Sequence, residues 1–186
     1  MPRLMILVAS TRPGRVGPAV GRFVETEARR DGRFEIDYTD LAEVALPFLD
    51  EPEHPRLGKY QHEHTRRWGA RVAAADVFAF VMPEYNYGYT APLKNALDFL
   101  HQEWRNKAVG LVSYGGAMGG TRAQQLVKPI LLALGLSVAA GSFPIPFVHR
   151  SIEDGTLRPD EATAAAAQAL LGELVLWDSM LSPLRA

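Results

Sequence analysis

Three segments of the sequence combine residue types that suit ligand binding. The first, residues 10–17, reads Ser-Thr-Arg-Pro-Gly-Arg-Val-Gly between an apolar run and a helical pattern. Hydroxyl groups, the free N–H groups of a helix N-terminus and two arginines predict a phosphate site. The segment is not a Walker loop, because no Gly-Lys-Ser/Thr follows, and it does not match GxGxxG. A capped turn with solvated arginines is the alternative.

The second segment, residues 83–89, reads Pro-Glu-Tyr-Asn-Tyr-Gly-Tyr and directly follows an apolar run. Core packing alone does not explain three tyrosines in five residues, because each buried hydroxyl needs a partner or water. The segment therefore predicts contact with a planar heteroaromatic ligand. A subunit interface, where tyrosine is also favoured, is the alternative.

The third segment, residues 113–120, reads Ser-Tyr-Gly-Gly-Ala-Met-Gly-Gly. Its glycines allow the backbone to approach a flat ligand without obstruction by Cβ atoms, although a flexible turn has the same composition. Taken together, the three segments describe a site with a phosphate end and an aromatic end. That is the outline of flavin mononucleotide (FMN).

Short apolar runs alternate with longer helical patterns along the chain, and these elements must position the three segments. The patterns predict strands at 4–9, 34–38, 77–82, 108–113 and 136–140, and helices at 16–30, 59–75, 92–102, 120–134 and 159–180. Residues 143–148 either extend the fifth strand or form a sheet edge. Residues 41–57, which contain three prolines, are predicted to be irregular.

This alternation predicts an α/β fold, a flavodoxin-like doubly wound five-stranded parallel sheet of order 2-1-3-4-5 with helices on both faces. Ligands bind such sheets beyond the carboxyl ends of the strands, where the strand order reverses. The three segments follow strands one, three and four, so we expect them at that edge. The length of 186 residues fits a single domain spanning residues 1–186.

Composition excludes several classes of protein. Cysteine is absent, which removes thiol nucleophiles, redox pairs and thiolate metal sites, so any electrons must travel on a bound group. The net charge of −1 lacks the basic excess of a nucleic-acid binder, and no window reaches the roughly 18 apolar residues of a membrane span. His62 and His64 lie two apart and do not share a helix face, so no metal site is predicted. We expect a soluble cytoplasmic protein without nucleic-acid or membrane partners.

The chain resembles the NAD(P)H-dependent FMN reductases of the flavodoxin-like superfamily over residues 3–150. The resemblance rests on Ser10-Thr11-Arg12 with Gly17, on Pro83-Glu84-Tyr85-Asn86-Tyr87 with Leu93-Lys94-Asn95-Ala96-Leu97-Asp98, and on Ser113-x-Gly115-Gly116 with Gly119-Gly120-x-Arg122. It implies that the FMN phosphate is held at Ser10, Arg12, Arg15, Val16 and Gly17. It implies that the isoalloxazine is lined by Pro83, Glu84, Tyr85, Asn86 and Tyr87. It places Ser113, Tyr114, Gly115 and Gly116 beside the ring edge.

One departure from the family concerns the phosphate loop. Many members begin it with Gly-Ser and place Ser and Asn at its helical end, whereas this chain has Ala9-Ser10 at the start and Val16-Gly17-Pro18 at the end. Arg15 and backbone N–H groups are expected to replace the missing hydroxyl contacts.

The resulting hypothesis is an FMN-dependent NAD(P)H oxidoreductase. Hydride passes from NADPH or NADH to flavin N5 and then to a small-molecule acceptor such as free flavin, a quinone or an azo compound. No side chain is expected to act as a catalytic acid or base. The resemblance and the tyrosine-rich segment also predict a homodimer or homotetramer. The alternative is a flavin-binding redox sensor or interaction module without turnover.

Overall fold

The computed structural model describes residues 1–185 of the chain. Its strands are β1 (Arg3–Val8), β2 (Glu35–Asp40), β3 (Val77–Pro83), β4 (Lys107–Tyr114), β5 (Leu136–Val138), β6 (Phe143–Ile145), β7 (Ile152–Glu153) and β8 (Thr156–Leu157). Its α-helices are α1 (Gly17–Asp31), α2 (Leu41–Val44), α3 (Glu63–Ala74), α4 (Ala91–Asp98), α5 (Thr121–Ala133) and α6 (Glu161–Leu181). Short 3₁₀ helices occur at Pro55–Leu57, Gln102–Trp104, Val148–Ser151 and Ser182–Leu184.

The main sheet is parallel and has the order β2-β1-β3-β4-β5, which confirms the predicted topology. The fifth position is shared, because β5 pairs with the first half of β4 and β6 pairs with its last residues. Between these two strands the Ser142 hydroxyl accepts the Leu111 N–H at 3.0 Å, so β4 keeps a partner across the interruption. Residues 143–145 therefore extend the fifth strand position, one of the two arrangements expected.

Helices cover both faces of the sheet, as predicted. Successive strand residues point to opposite faces, so Leu4 and Ile6 of β1 enter one apolar cluster while Met5 and Leu7 enter the other. Buried residues of α1 and α6 pack in the first cluster, and those of α3, α4 and α5 pack in the second. Among residues 1–185, no helix is long and apolar enough to span a membrane.

Several predicted boundaries were wrong because side chains end or start elements in ways that periodicity does not show. Residues 41–57 are not wholly irregular, since Asp40 accepts the Ala42 N–H at 2.9 Å and caps α2. Helix α3 begins four residues later than predicted, because the Glu51 carboxylate accepts the backbone N–H groups of residues 61 and 62. Helix α4 ends at Asp98 rather than at residue 102. At this end the Trp104 indole donates to the Leu97 carbonyl.

Two further sequence expectations differ from the structure. The hairpin of β7 and β8 was not predicted, since each strand has only two residues. His62 lies just before α3, and its ring stacks on that of His64 with centroids 5.2 Å apart. The expectation that these two side chains diverge was therefore wrong, because it assumed that both lie within the helix.

Lys107, the first residue of β4, is a buried cation at the amino edge of the sheet. Its ammonium donates to the Val72 and Ala73 carbonyls at 2.9 and 3.0 Å, and so satisfies the C-terminal end of α3. Burial lowers the pKa of Lys107 to about 8, and nearby Arg185 acts in the same direction, while Asp76 and Glu103 oppose it.

This shift predicts that the protein becomes more stable in mild alkali. Below about pH 8 the buried charge costs stability, and that cost disappears as pH rises toward the unfolded lysine pKa near 10.4, because the unfolded chain then binds more protons. We expect the free energy of unfolding to rise by roughly 1–2 kcal/mol between pH 8 and 9.5. Urea unfolding across that range measures it. The measurements stop at pH 9.5 because burial raises the pKa of Tyr60 and Tyr114. At higher pH these tyrosines lose their protons in the unfolded chain first, which lowers the free energy of unfolding.

The control for this prediction is Lys107→Met, which keeps an apolar stem and removes the titrating group. The variant should show a flat profile between pH 8 and 9.5. Parallel profiles for the two proteins would assign the pH dependence to other groups.

Candidate functional site

A cavity of about 340 Å³ lies at the carboxyl edge of the sheet, where the loops after β1, β3, β4 and β6 meet. We call these the first loop (residues 9–16), the second loop (84–90), the third loop (115–120) and the fourth loop (146–151). Nine of the predicted site residues line the cavity: Arg12, Arg15, Val16, Pro83, Glu84, Tyr85, Tyr114, Gly115 and Gly116. The remaining predictions, Ser10, Gly17, Asn86, Tyr87 and Ser113, lie around it without lining it.

The first loop leads into an open helix N-terminus. Val16 is the N-cap residue of α1, no side chain caps the first turn, and that turn carries no acidic residue. Gly14 adopts a φ of +70°, a left-handed conformation that glycine tolerates. Arg12 is exposed and makes no ion pair within residues 1–185. Backbone N–H groups, the helix dipole and a free guanidinium therefore converge at this end of the cavity.

The buried Tyr114 hydroxyl is an unsatisfied donor beside this helix end. It has no hydrogen-bond partner within the described part of the chain, and a Cβ built on Gly17 would lie 2.7 Å from it. Burial raises the pKa of Tyr114, so the side chain remains a protonated donor at neutral pH. Buried polar groups normally have partners, and among protein groups only the nearby Ser10 hydroxyl acts on it as a hydrogen-bonding group, which makes this hydroxyl a candidate donor to a ligand. A phosphate oxygen fits these donors.

Arg15 is engaged by the protein itself, which the sequence did not show. Its Nη1 donates to the Ser10 carbonyl at 2.5 Å and to the Asp40 carboxylate at 2.6 Å. The hydrogen bond to Asp40 raises the pKa of Arg15 further. The pair is electrically neutral, so Arg12 and the helix end supply most of the positive charge available to an anion.

The second loop contains a tight turn. Tyr85 and Gly88 exchange two backbone hydrogen bonds of 2.9 Å, and the central residues Asn86 and Tyr87 have φ values of +49° and +71°. Positive φ at both central residues is typical of a type I′ turn. The Tyr85 hydroxyl lies 2.8 Å from the Ser10 hydroxyl, which joins the second loop to the first. Tyr87 is 65% exposed, so its ring contacts solvent rather than the cavity.

The Glu84 carboxylate is bound by Arg122 and joins the second loop to α5. The carboxylate accepts the Arg122 backbone N–H at 3.1 Å and the Arg122 guanidinium at 3.0 Å. The same guanidinium lies 4.2 Å from the centre of the Tyr87 ring. The Glu84 backbone N–H donates to the Tyr114 carbonyl at 3.1 Å. Glu84 can therefore offer the cavity its backbone and the stem of its side chain.

The third loop is held in shape from below by Ser113. The Ser113 hydroxyl donates to the Gly119 carbonyl and accepts from the Gln124 amide, both at 2.8 Å. Both of its hydrogen-bonding roles are thus used within the protein. The carbonyls of Gly115 and Gly116 accept N–H groups from the fourth loop, at 3.3 and 3.0 Å.

Sequence reasoning missed Gly14 as a lining residue and missed the fourth loop entirely. That loop contributes Phe147, Val148, His149 and Arg150 to the cavity. The Arg150 guanidinium packs 4.4 Å from the centre of the Phe147 ring. The available signal was the assignment of residues 143–148 to the fifth strand position, because the end of that strand must reach the same edge of the sheet.

Asn95, which belongs to the family motif of α4, holds the segment that follows α2 in place. Its amide donates to the Pro47 carbonyl at 2.7 Å and accepts the Leu49 N–H at 3.0 Å. These bonds hold the proline-containing segment 45–49 against α4. Lys94, its neighbour, forms an ion pair with Asp98 one turn later.

A parallel sheet in this order, with an open helix N-terminus and an aromatic loop at its carboxyl edge, has the flavodoxin-like architecture. A family model described as NADPH-dependent FMN reductase matches residues 2–150. The chain belongs to that family, which confirms the resemblance stated from the motifs. It is an FMN-dependent NAD(P)H oxidoreductase.

Individual relatives agree with this assignment. The chain is 42% identical over 160 residues to an NAD(P)H-dependent FMN reductase of Schizosaccharomyces pombe, covering 85% of this chain and 80% of the relative. It is 38% identical over 105 residues to an NAD(P)H:quinone oxidoreductase of Solanum tuberosum, covering 55% and 52%. The solved structure of the flavoenzyme FerB from Paracoccus denitrificans superposes with a TM-score of 0.77 at 24% identity, over 97% and 99% of the chains, and supports the fold.

Proposed function

We propose that the cavity is the FMN site, with the phosphate at the first loop and the ring system between the second, third and fourth loops. The unsatisfied Tyr114 hydroxyl, aimed at the open N-terminus of α1, is the observation that carries this proposal. Transfer of electrons from NAD(P)H to a small acceptor is the chemistry that FMN supplies when it is bound.

The residues in and beneath the cavity have different roles in this proposal. Arg12, the Tyr114 hydroxyl and the N–H groups that begin α1 bind the phosphate. The backbone of residues 83–85 and of Gly115–Gly116 orients the ring, since the Glu84 N–H is bonded to β4 at Tyr114 and the two glycine carbonyls are bonded to the fourth loop. Phe147 and Val148 exclude water from the remaining wall. Ser10, Gly17 and Ser113 act beneath the site by fixing the loops, whereas Asn86 and Tyr87 shape the turn.

The test uses Tyr114→Phe and compares FMN with riboflavin, which lacks the phosphate. We expect the variant to bind FMN about 10- to 150-fold more weakly and riboflavin with unchanged affinity, because one hydrogen bond to a charged group is lost. Loss of flavin fluorescence on titration measures both constants. In the protein without flavin, removing an unsatisfied hydroxyl should leave the free energy of unfolding equal or higher. Equal FMN affinity in the variant and the parent would place the phosphate elsewhere.

The electron donor is proposed to be NADPH or NADH, and the acceptor a free flavin, quinone or azo compound. The names of the relatives support these acceptor classes, since one is a quinone oxidoreductase and another, from Staphylococcus saprophyticus, is an FMN-dependent NADPH-azoreductase. Steady-state NADPH oxidation with a quinone tests turnover. A negligible rate in the FMN-loaded protein would favour the sensor alternative.

The proposed assembly is a homodimer or homotetramer. Its support is the exposed aromatic surface near α4, where Phe48 is 84% exposed and Tyr87 65% exposed. Aromatic residues are enriched at protein–protein interfaces. Light scattering should give at least twice the chain mass of 20.5 kDa, and the monomer mass at high concentration would contradict the proposal. The cytoplasmic location and the single-domain organisation stay predictions, for cell fractionation and limited proteolysis to test.

A further inference from the structure

The Arg15 guanidinium is anchored through one nitrogen only. Nη1 makes both of its hydrogen bonds, to the Ser10 carbonyl and to the Asp40 carboxylate. Nε and Nη2 make no hydrogen bond within residues 1–185, and the side chain lines the cavity with 18% of its surface exposed. The edge formed by Nε and Nη2 is the one that can pair side by side with two oxygens of a phosphate. The anchoring therefore leaves the phosphate-binding edge of Arg15 available.

Asp40 is a rigid anchor for this arrangement. It is the last residue of β2, it is only 4% exposed, and its Oδ1 also accepts the Ala42 N–H that begins α2. The carboxylate is thus held where β2, the edge strand paired with β1, runs directly into α2, and it is fixed by its hydrogen bond to the Ala42 N–H. A free arginine side chain loses considerable rotamer entropy when a ligand orders it. An arginine already held by Asp40 loses much less.

We infer that Asp40 is a positioning residue for the flavin phosphate, which it serves by holding Arg15 with its Nε–Nη2 edge ready to bind. The inference rests on the proposed FMN site. The carboxylate neutralises the arginine, so its contribution is geometric and not an added attraction for the anion. Its effect must therefore appear as discrimination between FMN and riboflavin, which differ in the phosphate.

Two substitutions separate the anchoring of Arg15 by Asp40 from the N-cap and the negative charge that Asp40 also provides. Asp40→Ser keeps an N-cap for α2 but is too short to reach Arg15. Asp40→Asn keeps an oxygen acceptor at the same position and removes the charge. The matched control is Asp37→Ser, on the same strand, because Asp37 is also buried and forms an ion pair of 2.6 Å with an arginine, Arg71, that does not line the cavity as Arg15 does.

Dissociation constants for FMN and riboflavin are measured by quenching of flavin fluorescence on the purified full chain without flavin. Asp40→Ser should raise the constant for FMN about 5- to 20-fold and that for riboflavin less than about twofold. Asp40→Asn should stay within about threefold of the parent for both ligands. Asp37→Ser should leave the ratio of the two constants unchanged. Adding Asp40→Ser to Arg15→Ala should weaken FMN binding no further, because the two residues act as one unit.

An unchanged ratio of FMN to riboflavin affinity in Asp40→Ser would overturn the inference. So would tighter FMN binding in both Asp40 variants, which would make Asp40 a repelling charge. If Asp40→Ser does not fold, Arg15→Lys decides, since a lysine keeps the charge but lacks the planar edge and should lose FMN affinity by a similar factor. Failure of the proposed site itself is distinct, because the parent protein would then bind FMN no better than riboflavin.

Discussion

Replacing Gly120 with alanine should lower the free energy of unfolding by about 2–4 kcal/mol and disrupt the proposed FMN site. Gly120 has a φ of +87°, which an L-residue adopts only with strain. A Cβ there would lie 2.7 Å from the Ser113 Cβ and 3.0 Å from the Tyr114 backbone nitrogen. These atoms belong to β4, a central strand, and cannot move aside. The third loop must shift instead.

The shift should reach the cavity through Ser113, whose hydroxyl holds the Gly119 carbonyl. Gly116→Ala, in the same loop, is the matched control, because Gly116 has an ordinary φ and its Cβ would meet no atom within 4 Å. Urea unfolding of both variants without flavin should show the control within about 0.5 kcal/mol of the parent. If both variants lost the same amount of unfolding free energy, packing against Ser113 and Tyr114 would not be what holds the conformation of the third loop.

Replacing Arg12 with alanine should weaken FMN binding by roughly 1.5–3 kcal/mol, the contribution of a hydrogen bond to a charged group. Arg12 is exposed and free of ion pairs within residues 1–185, so its guanidinium is available to the phosphate without breaking another contact. For the same reason the stability of the protein without flavin should not change. Titration with FMN and with riboflavin measures the effect, which is expected only for FMN.

Arg30→Ala supplies the control, because it removes the same charge from the opposite end of α1, where Arg30 is exposed. FMN affinity in this variant should equal that of the parent. If Arg12→Ala also leaves the affinity unchanged, the phosphate is held by Arg15 and by the N–H groups of the helix end.

The hydrophobic periodicity of the sequence and the turn-forming residues between its elements were sufficient to predict the sheet. Runs such as 77–82 are apolar throughout, which indicates strands covered on both faces, and the helical patterns between them require parallel crossovers. Once that order is set, the ends of strands one, three and four must lie at one edge. The general location of the site and the membership of its first three loops follow from local signals of this kind.

Element boundaries and the fourth loop were harder to predict, because distant residues determine them. Glu51 delays the start of α3 through hydrogen bonds to residues ten and eleven positions away. The fourth loop carries no motif, and it lines the cavity because its N–H groups bond to Gly115 and Gly116. Neither contact leaves a periodic signal.

The sequence alone determined the fold class, the family and the edge of the sheet at which the first three loops meet, because these depend on residue types and on order along the chain. Only the tertiary structure decided which predicted polar groups are free to bind. Ser10, Ser113 and Glu84 form hydrogen bonds within the protein, and Asp40 occupies only Nη1 of Arg15, whereas Arg12 forms no ion pair and the Tyr114 hydroxyl has no partner within residues 1–185. Side chains find hydrogen-bond partners by proximity in space, and proximity between residues 15 and 40 or between 84 and 122 exists only after the sheet has formed.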